Sequence, residues 1–589
     1  MRITPSHSAG SSAALVAMLA ACTLAPLIAF NLTPNATLFN QLAALAGWGV
    51  VLMLMPIGTA QRGQGGGAGA AQLATLLLLA AALASPLWTG LPLSLALCSS
   101  ALLAAACWVL SAASRLRPAD ALPWWAAFCW ALLAVGLASV VISLIQVFFP
   151  NLADGTLIAR SGIVGRAVGN LRQPNHLSSL MMWACVAALW LAESGRLPRL
   201  GGSRVALPAL LFVFVFTIIL SASRTGMLGV LVLAAWGALD RKLSRAARLA
   251  LLATPLMLAA AWGLMWAWAH LGAHAFGAES RLVEGAGSPS RMAILRNSWA
   301  LLMAHPWTGV GWGEFNLAWT MTPFPDRPIA FFDHSHNLPM QLLVELGWPL
   351  GVLVLGLLSL SLWRVWRASV RAQGEPAVLL RSAFMLVLTI GLHSLLEYPL
   401  WYAYFLLPTA FALGLGLAPQ AEAGAAARRV GQAPSAPLWR AAGLLLAAGS
   451  VFAAWDYLRV VEIYSPPANA KPLTQRIERG QRSLFFSTQA DYAAATSFGP
   501  GTEALAATRR TAHNLIDVRL MMSWAQSLQA SGDVDRARHV AQRLREFRPT
   551  GAGADWLKLC DAVDMADVAK PRPLQCEPPQ RVYRWQEMR

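Results

Sequence analysis

Apolar residues run along this chain in long blocks separated by short polar stretches, and block length is the first informative quantity. About 20 apolar residues cross a bilayer as a helix. Blocks near that length lie at roughly 13–31, 38–56, 71–88, 92–111, 123–149, 175–193, 205–220, 225–239, 249–269, 337–363, 378–395, 399–417 and 440–455. The pattern predicts an all-α, polytopic membrane protein with about thirteen transmembrane helices over residues 1–455. A signal peptide would also begin with a basic residue and an apolar stretch. No small-residue cleavage site precedes the second block, so a first membrane helix is expected instead. Beyond 455 the apolar blocks end and polar residues with helical spacing take over. A separate helical domain is expected over 456–589.

Composition agrees. Of 589 residues, 57% are hydrophobic and only 12% charged, against about 25% charged in soluble domains. The net charge of +17 does not call for a nucleic acid partner, since neither a basic soluble domain nor a nucleic-acid motif is present. In a membrane protein the position of the cations reports orientation. With the N-terminus inside, the cytoplasmic segments hold Arg2, Arg62, Arg115, Arg117, Arg196, Arg199, Arg204, Arg241, Lys242, Arg245, Arg248, Arg364, Arg367, Arg371, Arg381, Arg428, Arg429 and Arg440. The opposite loops hold Arg160, Arg166, Arg172, Arg224, Arg281, Arg291, Arg296 and Arg327. Eighteen against eight predicts a cytoplasmic N-terminus and a periplasmic tail. The eight exceptions fall in three loops that also carry most of the unusual polar residues, so the chemistry is expected there.

Cys22, Cys98, Cys107, Cys129 and Cys185 stand singly in apolar stretches and read as small core residues. Cys560 and Cys576 are the two in the polar tail, and they can pair if the tail lies outside the cytoplasm. No spacing resembles a zinc site.

Four outer constellations follow. Gly169–His176 reads GNLRQPNH. There a proline before a polar pair either starts a helix or turns Gln173, Asn175 and His176 into an outward cavity. Ser223-Arg224-Thr225-Gly226 is a polar turn between apolar runs. Arg224 is either a snorkelling anchor or a phosphate fork. The large outer segment, about 270–336, holds Arg291, the stretch HPWTGVGWGEF at His305–Phe315, and Asp333-His334-Ser335-His336-Asn337. Two histidines at i and i+2 admit a metal site, but no third ligand has matching spacing. A general base fits better, because an imidazole in water titrates near pH ~6.5, and Asp333 is placed to orient one ring. Finally, His393–Tyr402 reads HSLLEYPLWY, where Glu397, Tyr398 and Tyr402 are either an interfacial aromatic belt or part of a sugar or acceptor site.

Ser223–Gly226, His305–Phe315 and His334–Asn337 resemble the O-antigen ligase/polymerase superfamily. Within it, GNLRQPNH and HSLLEYPLWY resemble the bacterial protein O-oligosaccharyltransferases. The resemblance covers roughly 160–420. It implies a metal-independent membrane glycosyltransferase with no cofactor. The donor would be an undecaprenyl-diphosphate-linked glycan, and the acceptor a Ser/Thr hydroxyl of a periplasmic or pilin-like protein. Carried onto this chain, it makes His336 the first candidate for the essential histidine and His334 the second. Arg224 and Arg291 become diphosphate binders, and Gln173, Asn175, Glu397, Tyr398 and Tyr402 acceptor- or glycan-side residues.

Two alternatives remain on the sequence alone. One is an O-antigen ligase acting on lipid A-core, or a chain polymerase. The other is a transporter of lipid-linked glycan, against which stands the clustering of ionisable residues in outer loops and away from the midplane. In the tail, Trp524 to Pro549 resembles one tetratricopeptide repeat. One repeat cannot stand alone, so flanking helices must complete it. Asp533-Val-Asp535 there reads as a helix-turn signal, not as a metal site for nucleotide sugars.

Overall fold

The computed structural model describes residues 6–57, 68–197, 205–283, 289–418, 436–563 and 572–589. Six cations of the orientation tally, Arg2, Arg62, Arg199, Arg204, Arg428 and Arg429, lie outside the described residues. What is described is helical, with two isolated β-bridges, Leu32–Asn35 and Ile57–Leu116.

Every apolar block coincides with a helix. Seven described helices are long and apolar enough to cross a membrane: Gly69–Thr89, Leu93–Ala113, Pro118–Phe148, Pro174–Glu193, Leu338–Arg371, Gly374–Ser394 and Pro437–Tyr464. Arg245–Leu252 and Thr254–Gly272, bent by 40°, make an eighth if they form one span. Ser12–Leu27, Leu38–Leu54, Ala206–Ser221, Arg224–Leu239 and Ala403–Gly416 are apolar but shorter. The chain is thus a multi-pass membrane protein, and helix length alone does not fix the count at thirteen.

Pro174–Glu193 is the central helix, with 89% of its apolar window buried. It packs against Pro118–Phe148, Ala206–Ser221, Arg224–Leu239 and Gly374–Ser394. Small residues bring these neighbours close. A Cβ on Gly136 would stand 2.6 Å from Ala184 Cβ, and one on Gly226 would stand 2.7 Å from Ser178 Cβ. Close approach of this kind is what small residues give membrane helices.

The long helix Leu338–Arg371 is broken at Gly347, whose φ of +74° suits glycine. HPWTGVGWGEF docks at the break. Val310 N–H donates to Val344 O at 2.8 Å, Gly311 N–H to Glu345 O at 3.0 Å, and Trp348 N–H to Pro306 O at 2.8 Å. Carbonyls and an amide that the break would orphan are satisfied by this segment. Gly309, Gly311 and Gly313 all take positive φ to follow that path.

The tail continues without interruption from helix Ala436–Tyr464, which runs past 455. Its helices Leu473–Gln481, Ser487–Ser497, Thr502–Thr511, Val518–Ala530 and Val534–Glu546 pack in succession, and Ala552–Val563 packs back on Val518–Ala530. Asp533 caps Val534–Glu546 by accepting from Arg536 N–H at 3.3 Å, which makes Asp533-Val-Asp535 a helix start, as read from the sequence. Cys560 and Cys576 form a disulfide with a Cα–Cα distance of 5.2 Å.

Tail and large outer loop share one hydrophobic core, in which Trp319, Phe315 and Leu302 join Trp524, Leu528 and Leu544. Polar contacts seal it. His513 Nδ1 lies 2.9 Å from both oxygens of Glu314, Arg327 Nε donates to Glu546 Oε2 at 2.9 Å, and Asn316 Nδ2 donates to Asn514 O at 3.1 Å.

Candidate active site

Three helix starts and one turn converge outside the membrane helices. Gln173 caps Pro174–Glu193, its side-chain oxygen accepting from the Asn175 and His176 amides. Ser223 caps Arg224–Leu239 by accepting from Gly226 N–H at 3.2 Å. Asn337 caps Leu338–Arg371 by accepting from Met340 N–H at 3.0 Å, and its Nδ2 donates to Leu395 O in the HSLLEYPLWY turn at 3.0 Å. Each cap is a local sequence decision, and each delivers a polar side chain to the same place.

Glu397 is where they meet. Its Oε1 accepts from Arg291 Nη2 at 2.7 Å and from Asn175 Nδ2 at 3.1 Å, and its Oε2 lies 2.6 Å from His336 Nδ1. Asn175 Oδ1 in turn accepts from Ser223 Oγ at 2.7 Å, and Ser178 Oγ donates to Ser223 Oγ at 2.9 Å. One connected network thus joins all four sequence constellations. Burial pushes the Glu397 carboxyl up, but the hydrogen bond from His336 and the charge on Arg291 outweigh it and hold the group below the usual carboxylate range. As an anion it accepts Nδ1–H of His336, and this assigns the lone pair to Nε2.

His336 itself has φ +55°, a left-handed conformation that costs an L-residue on the order of 1–2 kcal/mol. Such outliers persist where surroundings over-determine them. Here these are Glu397, the Tyr398 ring edge-on at 5.0 Å and Phe332 at 5.3 Å. His334 stacks flat on Tyr398 at 4.4 Å, meets Trp401 edge-on at 4.9 Å, and its Nδ1 lies 3.1 Å from Asp333 Oδ1. Asp333 therefore sits beside His334, whereas the partner of His336 is Glu397, 61 residues further on. Burial and the nearby charge of Asp333 raise Tyr398, and the same causes push Tyr402 up to about 12. Both phenols stay protonated at neutral pH.

Other expected residues fall differently. Arg224 donates Nη2 to Arg281 O at 2.6 Å, beside the network at the start of its helix. Gln173 realises the helix-start reading. His176 is buried, its Nδ1 3.1 Å from Tyr404 Oη, with the Tyr402 ring edge-on at 4.5 Å. It does not face an outward cavity. Ser178 and Ser223 are the participants the sequence reading gave no role. Ser178 lies one helical turn after Asn175, and that spacing was the available signal. Among the described residues no group of three or more His, Cys, Asp or Glu side chains gathers as a metal site would require.

The fold is that of a multi-pass helical membrane protein with a polar network at its helix starts. Family models match on the segments that build the site: O-antigen ligase over residues 209–355, protein glycosylation ligase over 167–192, and the C-terminal part of virulence factor membrane-bound polymerases over 382–552. The chain is 28% identical over 305 residues to the general O-oligosaccharyltransferase of Acinetobacter baylyi, covering 48% of this chain and 49% of that protein. It is 24% identical over 292 residues to the ComP-specific O-oligosaccharyltransferase of the same organism, covering 48% and 50%. The chain spans about half the length of the curated relatives it matches. These matches bear out the resemblance to protein O-oligosaccharyltransferases within the O-antigen ligase superfamily.

Proposed function

We propose that this protein transfers a glycan from an undecaprenyl-diphosphate carrier to Ser/Thr hydroxyls of periplasmic or pilin-like proteins at the outer face of the bacterial inner membrane. The observation that carries the reading is His336 Nδ1 held 2.6 Å from Glu397, on a carboxylate that also takes Arg291. A carboxylate on Nδ1 fixes the imidazole and leaves Nε2 to accept a proton, the arrangement of a general base. The acceptor oxygen attacks the anomeric carbon as its proton passes to Nε2 of His336. The bond to the diphosphate breaks, and the leaving group departs with the electron pair. Arg291 and Arg224 meet the charge that develops there. A single displacement inverts the anomeric centre, and the one carboxylate on the network is occupied with orienting and is not a nucleophile. His334 has an orienting or donor-binding role against Tyr398.

The disulfide Cys560–Cys576 supports a tail outside the cytoplasm, as the arginine tally does. A reporter active only outside the cytoplasm should be active when fused after Tyr457 and silent after Arg428; the reverse would put the site on the wrong face. The match to the O-antigen ligase family over 209–355 favours a second reading, with lipid A-core as acceptor. The deciding assay offers purified protein in detergent a lipid-linked glycan with either a pilin-like protein or lipid A-core, with and without EDTA. Transfer to the protein, undiminished by EDTA, is expected. Transfer to lipid A-core alone would move the chain to the second reading, and loss in EDTA restored by a divalent ion would revive the two histidines as metal ligands.

A further inference from the structure

The left-handed backbone at His336 (φ +55°) needs a cause, because an L-residue left to itself takes negative φ. Glu397 and the aromatic rings hold the side chain, and the backbone is held from both flanks. Ser335 N–H donates to Gln341 Oε1 at 2.8 Å, and Ser335 Oγ donates to Asn337 O at 3.0 Å. Asn337 O also accepts from Gln341 N–H at 2.8 Å. The residue before His336 and the residue after it are thus tied to each other and to Gln341, at the start of the helix Leu338–Arg371.

Gln341 can do this in one orientation only. Ser335 N–H is a donor, so the amide oxygen must face it and the amide nitrogen must find an acceptor at the other end. That acceptor is Glu345, one helical turn on, whose Oε1 takes Gln341 Nε2 at 3.0 Å. Backbone hydrogen bonds from Gly313 and Phe315, in the segment docked at the helix break, hold the same carboxyl. Ser335, Gln341 and Glu345 are all buried. An amide turned the other way would set two donors against each other in a place where an unmade hydrogen bond is costly. The side-chain hydrogen bonds of Gln341 and Glu345 run along this line and not to Arg291, Glu397 or the ring of His336.

We propose that Gln341 is a positioning residue for His336: it fixes the left-handed turn that carries the imidazole onto Glu397, and Glu345 fixes the orientation of its amide. Without Gln341 the backbone returns to negative φ and the ring leaves the carboxylate that orients it. The segment His305–Phe315 thereby gains a role at the site, since the Gly313 and Phe315 amides anchor the far end of the line. The effect on turnover rests on the transfer reading above; the position of the ring does not.

Two variants test it. Gln341→Leu nearly keeps the volume and removes both side-chain hydrogen bonds. Gln341→Glu combined with Glu345→Gln exchanges the two groups and keeps a donor facing an acceptor at every step. Two quantities are read on purified full-length protein in detergent. One is kcat and donor KM for transfer of a lipid-linked glycan. The other is the proton resonance of the Nδ1–H bond to Glu397, identified by its loss in His336→Ala, which needs no turnover. Gln341→Leu should lower kcat about ten- to a hundredfold, the effect of a misplacement of about 1 Å, with donor KM unchanged and the resonance lost. The exchanged pair should return kcat to within about threefold of wild type, less than one hydrogen bond is worth, and restore the resonance. Wild-type kcat and resonance in Gln341→Leu, whatever its melting temperature, would make Gln341 a packing residue and overturn the assignment. A lowered kcat with an unmoved resonance would overturn it too. So would an exchanged pair that lacks the resonance, and that outcome decides even where Gln341→Leu does not fold. A wild type that transfers nothing, with the resonance lost in Gln341→Leu and restored by the exchange, would sink the transfer reading alone.

Discussion

Among the described residues two glutamate–histidine pairs lie within hydrogen-bond distance, and they do different work. His336 and Glu397 lie 2.6 Å apart with side-chain exposures of 18% and 9%, and the 37%-exposed Arg291 shares the carboxylate. His513 and Glu314 lie 2.9 Å apart with exposures of 4% and 0%, inside the core common to tail and outer loop. The contact chemistry is the same and the surroundings are not. The first pair has an open side, a cation beside it, stacked tyrosines and a residue in the left-handed region. The second is closed on every side and clamps two segments together. Pairing alone therefore does not make a candidate site; access is what separates the two.

Substitutions separate the two most sharply at His336. His336→Ala should cut glycan transfer by about 10²–10⁴-fold, the usual cost of removing a base, while donor binding is retained. Next in size is Glu397→Gln, which keeps the shape but loses the charge that fixes the imidazole, and should cost about 10²-fold or more. Arg291→Lys and Arg224→Lys keep a cation but lose the planar fork, and each should cost about tenfold in kcat. Wild-type turnover by Arg224→Lys and Arg224→Ala at equal protein level would return Arg224 to a membrane anchor. On transfer per folded molecule the smallest effect belongs to the sealed pair. His513→Ala should leave turnover nearly intact yet destabilise the protein by about 3–5 kcal/mol, because Glu314 is left buried and unpaired. A thermal melt alongside the transfer assay reads both quantities, and a large loss of turnover with an unchanged melt would erase the distinction between the pairs.

Much of this was legible in the sequence, for identifiable reasons. Apolar block length gave the membrane helices, because lipid leaves a backbone little choice but to bond within itself. The caps Gln173, Ser223 and Asn337 are local signals, so the helix starts that carry the site were readable too. The hub was not. Glu397 bonds residues 61, 106 and 222 positions away, and no periodicity links positions that only tertiary packing brings together. Asp333 looked the natural partner for a histidine by adjacency, but the left-handed turn at His336 swings that ring to Glu397 and leaves Asp333 to His334. HPWTGVGWGEF looked like a site motif, and its glycines instead trace the path of a segment that repairs the helix break at Gly347. The unbroken run of Ala436–Tyr464 through residue 455 was equally hidden, since the change from apolar to polar composition does not require a change of secondary structure.

The most direct test of Glu397 acting through His336 is a double-mutant cycle on kcat for glycan transfer, with His336→Ala, Glu397→Gln and the two combined. Residues that act as a unit are strongly non-additive. The expected result is a double variant no slower than His336→Ala alone, with the lipid-linked donor still bound. Losses that multiply, or full activity in His336→Ala, would contradict it.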